Sequence, residues 1–356
     1  MLNDIAKIFI PTAISFLIGI ILTFPIAKFL YKNEMWKKKA KEVAFDGSGT
    51  PIFNKMHAER EVNVPRMGGI IIWGSVILTT IIISIVDWAT NFSFFNKLDF
   101  LSRSQTWIPF FALFVGALVG LVDDYLEIKG SSNYKVGGLS LSKRLLVVGA
   151  VSFLAALWFY FKLEVSAVAI PFVGNFPFGI LFIPFFVLVA LAVYSGGIID
   201  GLDGLAGGVF ASIFAAYAGV AFHQNQINLA AFCAVAVGAI LAFLWFNIPP
   251  ARFYMSETGS MALTLALTMV AFMTDTLSEG YGVSVLLIIA FPLFITSASV
   301  IIQVLSKKYR HKKVFLVAPL HHHFEAIGWP SYKVTMRYWV ISAVFAIMGM
   351  IVAFIA

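Results

Sequence analysis

Charge is scarce in this sequence. Lys, Arg, Asp and Glu make up 12% of its 356 residues, against 60% hydrophobic, whereas about a quarter of a soluble globular chain is charged. That balance excludes a water-soluble fold and a disordered chain. Cysteine is nearly absent as well: the one thiol, Cys233 in an apolar run, excludes an internal disulfide and a multi-thiolate metal centre. No basic leader precedes the first apolar run and no small-residue cleavage site follows it, so the N-terminal segment is expected to be a retained helix.

What the chain has instead is one apolar run after another. A membrane span needs about twenty residues, and ten candidates stand at 8–30, 67–86, 107–122, 144–162, 177–194, 204–222, 228–246, 259–275, 283–304 and 336–355. The expected fold is an all-α polytopic membrane protein of about ten helices, with residues 1–356 as one integral-membrane domain. Lys and Arg concentrate in cytoplasmic loops, and alternate connections divide the 25 of them as 21 against 4. Both termini are therefore expected outside and the rich loops inside. The net charge of +7 reflects that topology, with anionic lipid or phosphate as partners and not nucleic acid.

The stretch from Ser195 to Gly208, SGGIIDGLDGLAGG, sets two aspartates among glycines between two apolar runs. Carboxylates at a membrane boundary are costly unless they meet water, a partner or a cation. With a helix starting near Asp200, the i,i+3 spacing would put Asp200 and Asp203 on one face of its first turn. A second acidic pair, Asp123 and Asp124, ends the third span in LVDDYLEIKG. Adjacent carboxylates at a helix C-terminus oppose the dipole and repel each other, so a cation or proton is needed there. Lys129, Lys135, Lys143 and Arg144 follow as possible anion contacts.

The connection 163–176 is expected to form a hairpin or re-entrant turn without catalytic weight. After the seventh span, FNIPPARFYMSETGSMAL brings Asn247, Arg252, Tyr254 and Glu257 together, with Ser256, Thr258 and Ser260 offering N-cap hydroxyls. Tyr254 could stack on a planar ligand or anchor the chain at the membrane interface. Later, VAPLHHHFEAIGWP holds His321, His322 and His323, which can act as metal ligands, proton carriers or phosphate partners near neutral pH. Successive residues cannot all face one point, so one or two are expected to reach a site. By topology all these acids and histidines fall on the basic face. Acidic clusters within a basic rim suit Mg²⁺-assisted phosphoryl chemistry.

The motifs VPRMGG, LVDDYLEIKG, GLSLSKRLL, IIDGLDGLAGG, FNIPPA, SETGSMAL and APLHHHFEAIGWP together resemble the polyprenyl-phosphate N-acetylhexosamine-1-phosphate transferase superfamily over nearly the whole chain. HHHFE followed by GW resembles the branch that handles a muramoyl-pentapeptide donor. The resemblance implies a ten-helix fold, usually dimeric, in the bacterial plasma membrane with its active site facing the cytoplasm. It implies Mg²⁺-dependent transfer of phospho-sugar from UDP-MurNAc-pentapeptide to undecaprenyl phosphate, giving lipid I and UMP for peptidoglycan. Carried over by position, Asp123, Asp124 and Asp200 would be catalytic, with Asp123 a base on the lipid phosphate. Glu257, Asp200 and Asp203 would hold the metal. Asp203, Asn247, Tyr254, Lys143 and the three histidines would bind substrate.

Four places depart from the pattern. Gly197 replaces an expected asparagine, Ser256 and Glu257 replace Gly-Asp, and Glu127 replaces a lysine. The loop before the second span differs around Glu61, Val64 and Arg66, in a form that leans toward relatives using UDP-GlcNAc. A UDP-GlcNAc transferase, a transporter with acids deep in its spans, and a non-catalytic scaffold are the competing readings. Direct attack of the lipid phosphate and a phospho-enzyme route both remain open.

Overall fold

Within lipid, a backbone can satisfy its N–H and C=O groups only in helices or closed barrels, and long apolar runs without strand alternation take the helical solution. A computed structural model describes residues 2–37, 62–90, 97–102, 104–130, 138–276 and 280–356. Its helices are α1 Leu2–Lys32, α2 Gly69–Thr90, α3 Trp107–Lys129, α4 Leu141–Lys162, α5 Phe182–Ser195, α6 Leu205–His223, α7 Ile227–Asn247, α8 Ser256–Thr276, α9 Gly282–Ile289, α10 Phe291–Arg310, α11 Leu320–Ala326 and α12 Ser331–Ile355. Among the described residues, 9 helices are long and apolar enough to cross a membrane, and up to 10 spans result if α9 and α10 count as one. The protein is thus a multi-pass membrane protein. Glu61 and Lys135, named above, lie outside the described residues.

Three expectations about local structure need correction. The ninth span is not one straight helix, because α9 and α10 meet at 69°; Pro292 stands in the first turn of α10, where its missing N–H cannot continue the preceding helix. The helix carrying Asp123 and Asp124 runs on to Lys129, so the pair lies inside α3 and not at its end. Finally, Asp200 and Asp203 precede the first turn of α6: residues 196–199 form a short 3-10 turn and α6 begins at Leu205. The expected hairpin does form, as β1 Ala167–Ile170 antiparallel to β2 Gly174–Pro177, with Val168 opposite Phe176.

Helix α8 is the central post. In its most apolar stretch 94% of residues are buried, against 22% in each of α1, α4 and α12, which therefore present their sides to lipid. Around α8 pack α2, α3, α5, α6 and α9, while α7 lies between α1 and α6. The α3–α8 contact is unusually close at Gly120, where an added Cβ would collide with the Glu257 carbonyl. Only glycine permits that approach, which places the α3 aspartates against the first turn of α8.

Candidate active site

A helix begins with four N–H groups that have no partner within it. At α8 they are met from outside. Asp124 accepts from the backbone of Glu257 at 3.3 Å, from the backbone of Thr258 at 2.9 Å, and from the Thr258 hydroxyl at 2.5 Å. Asp200 accepts from the Ser256 amide at 2.7 Å. Carboxylates of α3 and of the turn before α6 thus do the capping that the hydroxyls of Ser256, Thr258 and Ser260 were expected to do, and they add favourable charge at the positive end of the dipole. Burial pushes the Asp200 carboxyl up to about 6, against the pull of the Ser256 amide.

Beside this cap lies a charged bridge. Arg144, from the first turn of α4, reaches Asp123 Oδ2 at 3.0 Å through Nη2 and Glu257 Oε1 at 2.6 Å through Nη1. Its Nε donates to the Leu139 carbonyl at 3.0 Å, while the Leu139 amide donates to Asp123 Oδ1 at 2.6 Å. The Tyr194 hydroxyl, at the end of α5, and the Ser260 hydroxyl both stand 3.5 Å from Glu257 Oε2. Asp123 and Asp124 are wholly buried, so adjacent residues of the same type do different work: one caps a helix and the other faces a cation. Of the possible anion contacts in this loop, Lys143, also expected to bind substrate, is exposed, and Arg144 turns inward. Tyr194 carried one signal in the sequence, its place directly before the glycine-rich stretch.

Glu127, one turn beyond Asp123, pairs with Arg66 and, at 2.9 Å, with Lys37. The VPRMGG segment is held by its backbone: Tyr254 donates to Pro65, Gly68 to Tyr254 and Gly69 to Met255, at 2.8, 2.8 and 3.1 Å. Tyr254 itself is half-buried. Asn247 spans two backbone groups, accepting from Gly204 at 3.0 Å and donating to Phe253 at 2.8 Å. Asp203 accepts from Ala251 at 3.1 Å. Both residues therefore fix the turn between α5 and α6 against the segment before α8.

The three histidines divide between two directions. His321 and His322 are buried with rings 4.4 Å apart, and both Nε2 atoms crowd the space a Cβ on Gly201 would fill. His322 Nδ1 meets Glu325 at 2.8 Å. His323 turns away and accepts from the Leu316 amide at 3.2 Å. Two of three thus border the Asp200–Gly201 turn.

The expected metal set does not gather. Among the described residues no three His, Cys, Asp or Glu side chains stand together as a metal site, because Asp200 and Asp203 turn to backbone amides and Glu257 to Arg144. Asp123 and Glu257 are the carboxylates that face one common cation, and here that cation is a guanidinium.

A family model for glycosyl transferase family 4 matches residues 106–275, the stretch holding both acidic pairs, Arg144 and α8. Curated phospho-N-acetylmuramoyl-pentapeptide-transferases align well beyond it. That of Geobacillus thermodenitrificans is 33% identical over 350 residues, covering 96% of each chain. That of Dichelobacter nodosus is 35% identical over 313 residues, covering 82% of this chain and 80% of its own. A third, from another Geobacillus, is 34% identical over 82% of this chain and 84% of its own. This chain belongs to the phospho-N-acetylmuramoyl-pentapeptide-transferase family.

Two departures from the family pattern acquire a physical form. Ser256 stands where glycine is expected and keeps a glycine-like backbone, φ 57°. Gly197 stands where asparagine is expected, and a Cβ there would make ordinary contact, 3.4 Å from Ser260 Cβ. A methyl therefore fits at Gly197 against Ser260 and Thr264.

Proposed function

We propose that the protein transfers phospho-N-acetylmuramoyl-pentapeptide from its UDP derivative to undecaprenyl phosphate, forming lipid I and UMP, at the cytoplasmic face of a bacterial plasma membrane. The observation that carries this reading is the gathering of Asp123, Arg144 and Glu257 at the first turn of α8, with His321 and His322 bordering the adjacent turn. A phosphate oxygen of the lipid attacks the β-phosphorus of the nucleotide-sugar. The bond from that phosphorus to the bridging oxygen breaks, and UMP leaves with the oxygen. Such transfers need position and charge neutralisation more than covalent help. Arg144 supplies a cation that can pass from the carboxylates to the arriving phosphates. Asp123, released from it, can accept the lipid phosphate's proton, and the histidines can donate to pyrophosphate oxygens.

Mg²⁺ dependence is part of the same proposal. The ion commonly binds through one or two carboxylates and the substrate's own phosphates, and Glu257 would be the donor, leaving Asp123 to take the proton. When bound it supplies further neutralisation of the pyrophosphate. The UDP-GlcNAc reading rests on the form of VPRMGG, whereas the curated relatives that align over most of the chain are named for phospho-N-acetylmuramoyl-pentapeptide transfer.

The test is release of UMP by the purified protein in detergent with undecaprenyl phosphate, Mg²⁺ and either donor, with Asp123→Asn as blank. Turnover with the muramoyl-pentapeptide donor is expected. Turnover with UDP-GlcNAc alone, or none from folded protein, would overturn the reading.

A further inference from the structure

A cavity of about 180 Å³, lined by Thr23, Phe24, Ala27, Lys28, Tyr31 and Arg252, opens between the last turns of α1 and the segment after α7. Its walls are fixed. Tyr31 donates to the Arg252 carbonyl at 2.7 Å, and the Arg252 amide donates to the Phe246 carbonyl at 2.9 Å. The Arg252 guanidinium lies 5.6 Å over the Phe246 ring, which meets Phe24 edge-on at 6.1 Å. Among the described residues neither Lys28 nor Arg252 has a carboxylate partner. Two cations thus line one cavity together with Phe24, Ala27 and Tyr31.

Below the cavity the lipid-facing side of α1 continues as Phe24, Ile21 and Leu17, all exposed. With Lys28 they form one helical stripe of i, i+4, i+7 and i+11 spacing. The stripe is about 16 Å long at 1.5 Å per residue, close to one leaflet of a hydrocarbon core about 30 Å thick. Charge at the rim and an apolar track of leaflet depth match an amphiphile with an anionic head.

We infer that this cavity binds the phosphate headgroup of an anionic glycerophospholipid, with an acyl chain along Phe24, Ile21 and Leu17. The acceptor substrate shares the phosphate chemistry, but the carboxylates and histidines proposed to act on it lie against α3, α4, α8 and α11, not α1. The site has a route to that chemistry: Ala251, next to Arg252, is the residue that donates to Asp203. A headgroup held by Arg252 would stiffen the segment on which Asp203 rests.

The experiment is a titration of the full-length protein in neutral detergent with phosphatidylglycerol, read by native mass spectrometry and thermal shift. Lys28→Gln/Arg252→Gln and Lys28→Arg/Arg252→Lys run alongside. Phosphatidylglycerol is expected to bind saturably. The glutamine pair should weaken it about thirtyfold, from about fivefold for each cation near a membrane surface, and the charge-keeping pair should retain it. Both changed side chains are exposed, so the fold is expected to survive, and the melting curve without lipid checks this. Binding unchanged in the glutamine pair, or equal competition by phosphatidylcholine, would overturn the inference. Displacement by inorganic phosphate alone, or by undecaprenyl phosphate at lower concentration than phosphatidylglycerol, would reassign the cavity and overturn it equally. The readout needs no turnover, so its failure is distinguishable from failure of the proposed reaction.

Discussion

The two ends of α8 both hold buried acids, and the partners of those acids differ in kind. At the first turn, Asp123 and Glu257 share the Arg144 guanidinium. At the last turn, Asp275 accepts from the Ala169 amide at 3.3 Å and the Val283 amide at 3.1 Å, tying the hairpin and the start of α9 to the post. The surroundings there are neutral: Ser284 donates to the Ala169 carbonyl, Tyr217 to that of Gly282 and Gln224 to that of Thr274. Burial of a carboxylate therefore does not mark a reactive site. What sets the first turn apart is a cation held between two carboxylates.

The sharpest way to break this contrast is at Arg144. Arg144→Ala leaves the buried Asp123 and the half-buried Glu257 facing each other without a counter-charge, a change of up to about 3–5 kcal/mol for breaking a buried pair, and UMP release should fall to the Asp123→Asn blank. Arg144→Lys should restore much of the stability and only part of the rate, since a lysine cannot span both acids with two forked donors. Equal turnover in the wild type and the alanine variant would remove Arg144 from the chemistry.

Gly201→Ala comes next. The new methyl would collide with His321 Nε2 and press on His322, so the rings must shift while the span packing stays. A displacement of about 1 Å can cost about a hundredfold in rate, and that drop, with a melting temperature near wild type, is expected. A variant with full activity would detach the histidines from the site. At the far end the expectation reverses: Asp275→Ala strands two buried amides, at a cost of about 2 kcal/mol, and KM for the nucleotide donor should not move.

Which parts of this contrast the sequence discloses follows from whether a signal is local. Length and apolarity locate the spans, and the hairpin at 167–177 appears where it is expected. Pro292 marks the break between α9 and α10, but an apolar run on both sides hides it. The partner of Asp124 lies 133 and 134 residues away on another helix, beyond any local pattern, so the pair reads as two equivalent acids until the fold separates them. Lys143 and Arg144 are neighbours in a basic loop, and only the start of α4 at Leu141 decides which of them turns inward. The acids expected to hold a metal form one list by motif, yet the Ser256 amide engages Asp200 and the Ala251 amide engages Asp203 once the chain is folded.

The smallest expected effect concerns strain at the site end of α8. Ser256 has φ 57°, the left-handed region, which costs an L-residue roughly 1–2 kcal/mol. Its hydroxyl is also buried without a hydrogen-bond partner among the described residues. Ser256→Gly removes both burdens but gives the unfolded chain more freedom, at a loss of about 0.4–1 kcal/mol. The gain should exceed that loss and leave a net stabilisation on the order of 1 kcal/mol. Ser256→Ala separates the two contributions, because it loses the hydroxyl and keeps the backbone penalty. In thermal unfolding Ser256→Gly should melt above Ser256→Ala; if it melts below Ser256→Ala by the unfolded-state loss of about 0.4–1 kcal/mol, the turn is not strained. The expected order would make this turn, which seats Glu257 beside Arg144, a place where the chain holds an unfavourable conformation for the sake of the site, a feature with no counterpart at Asp275.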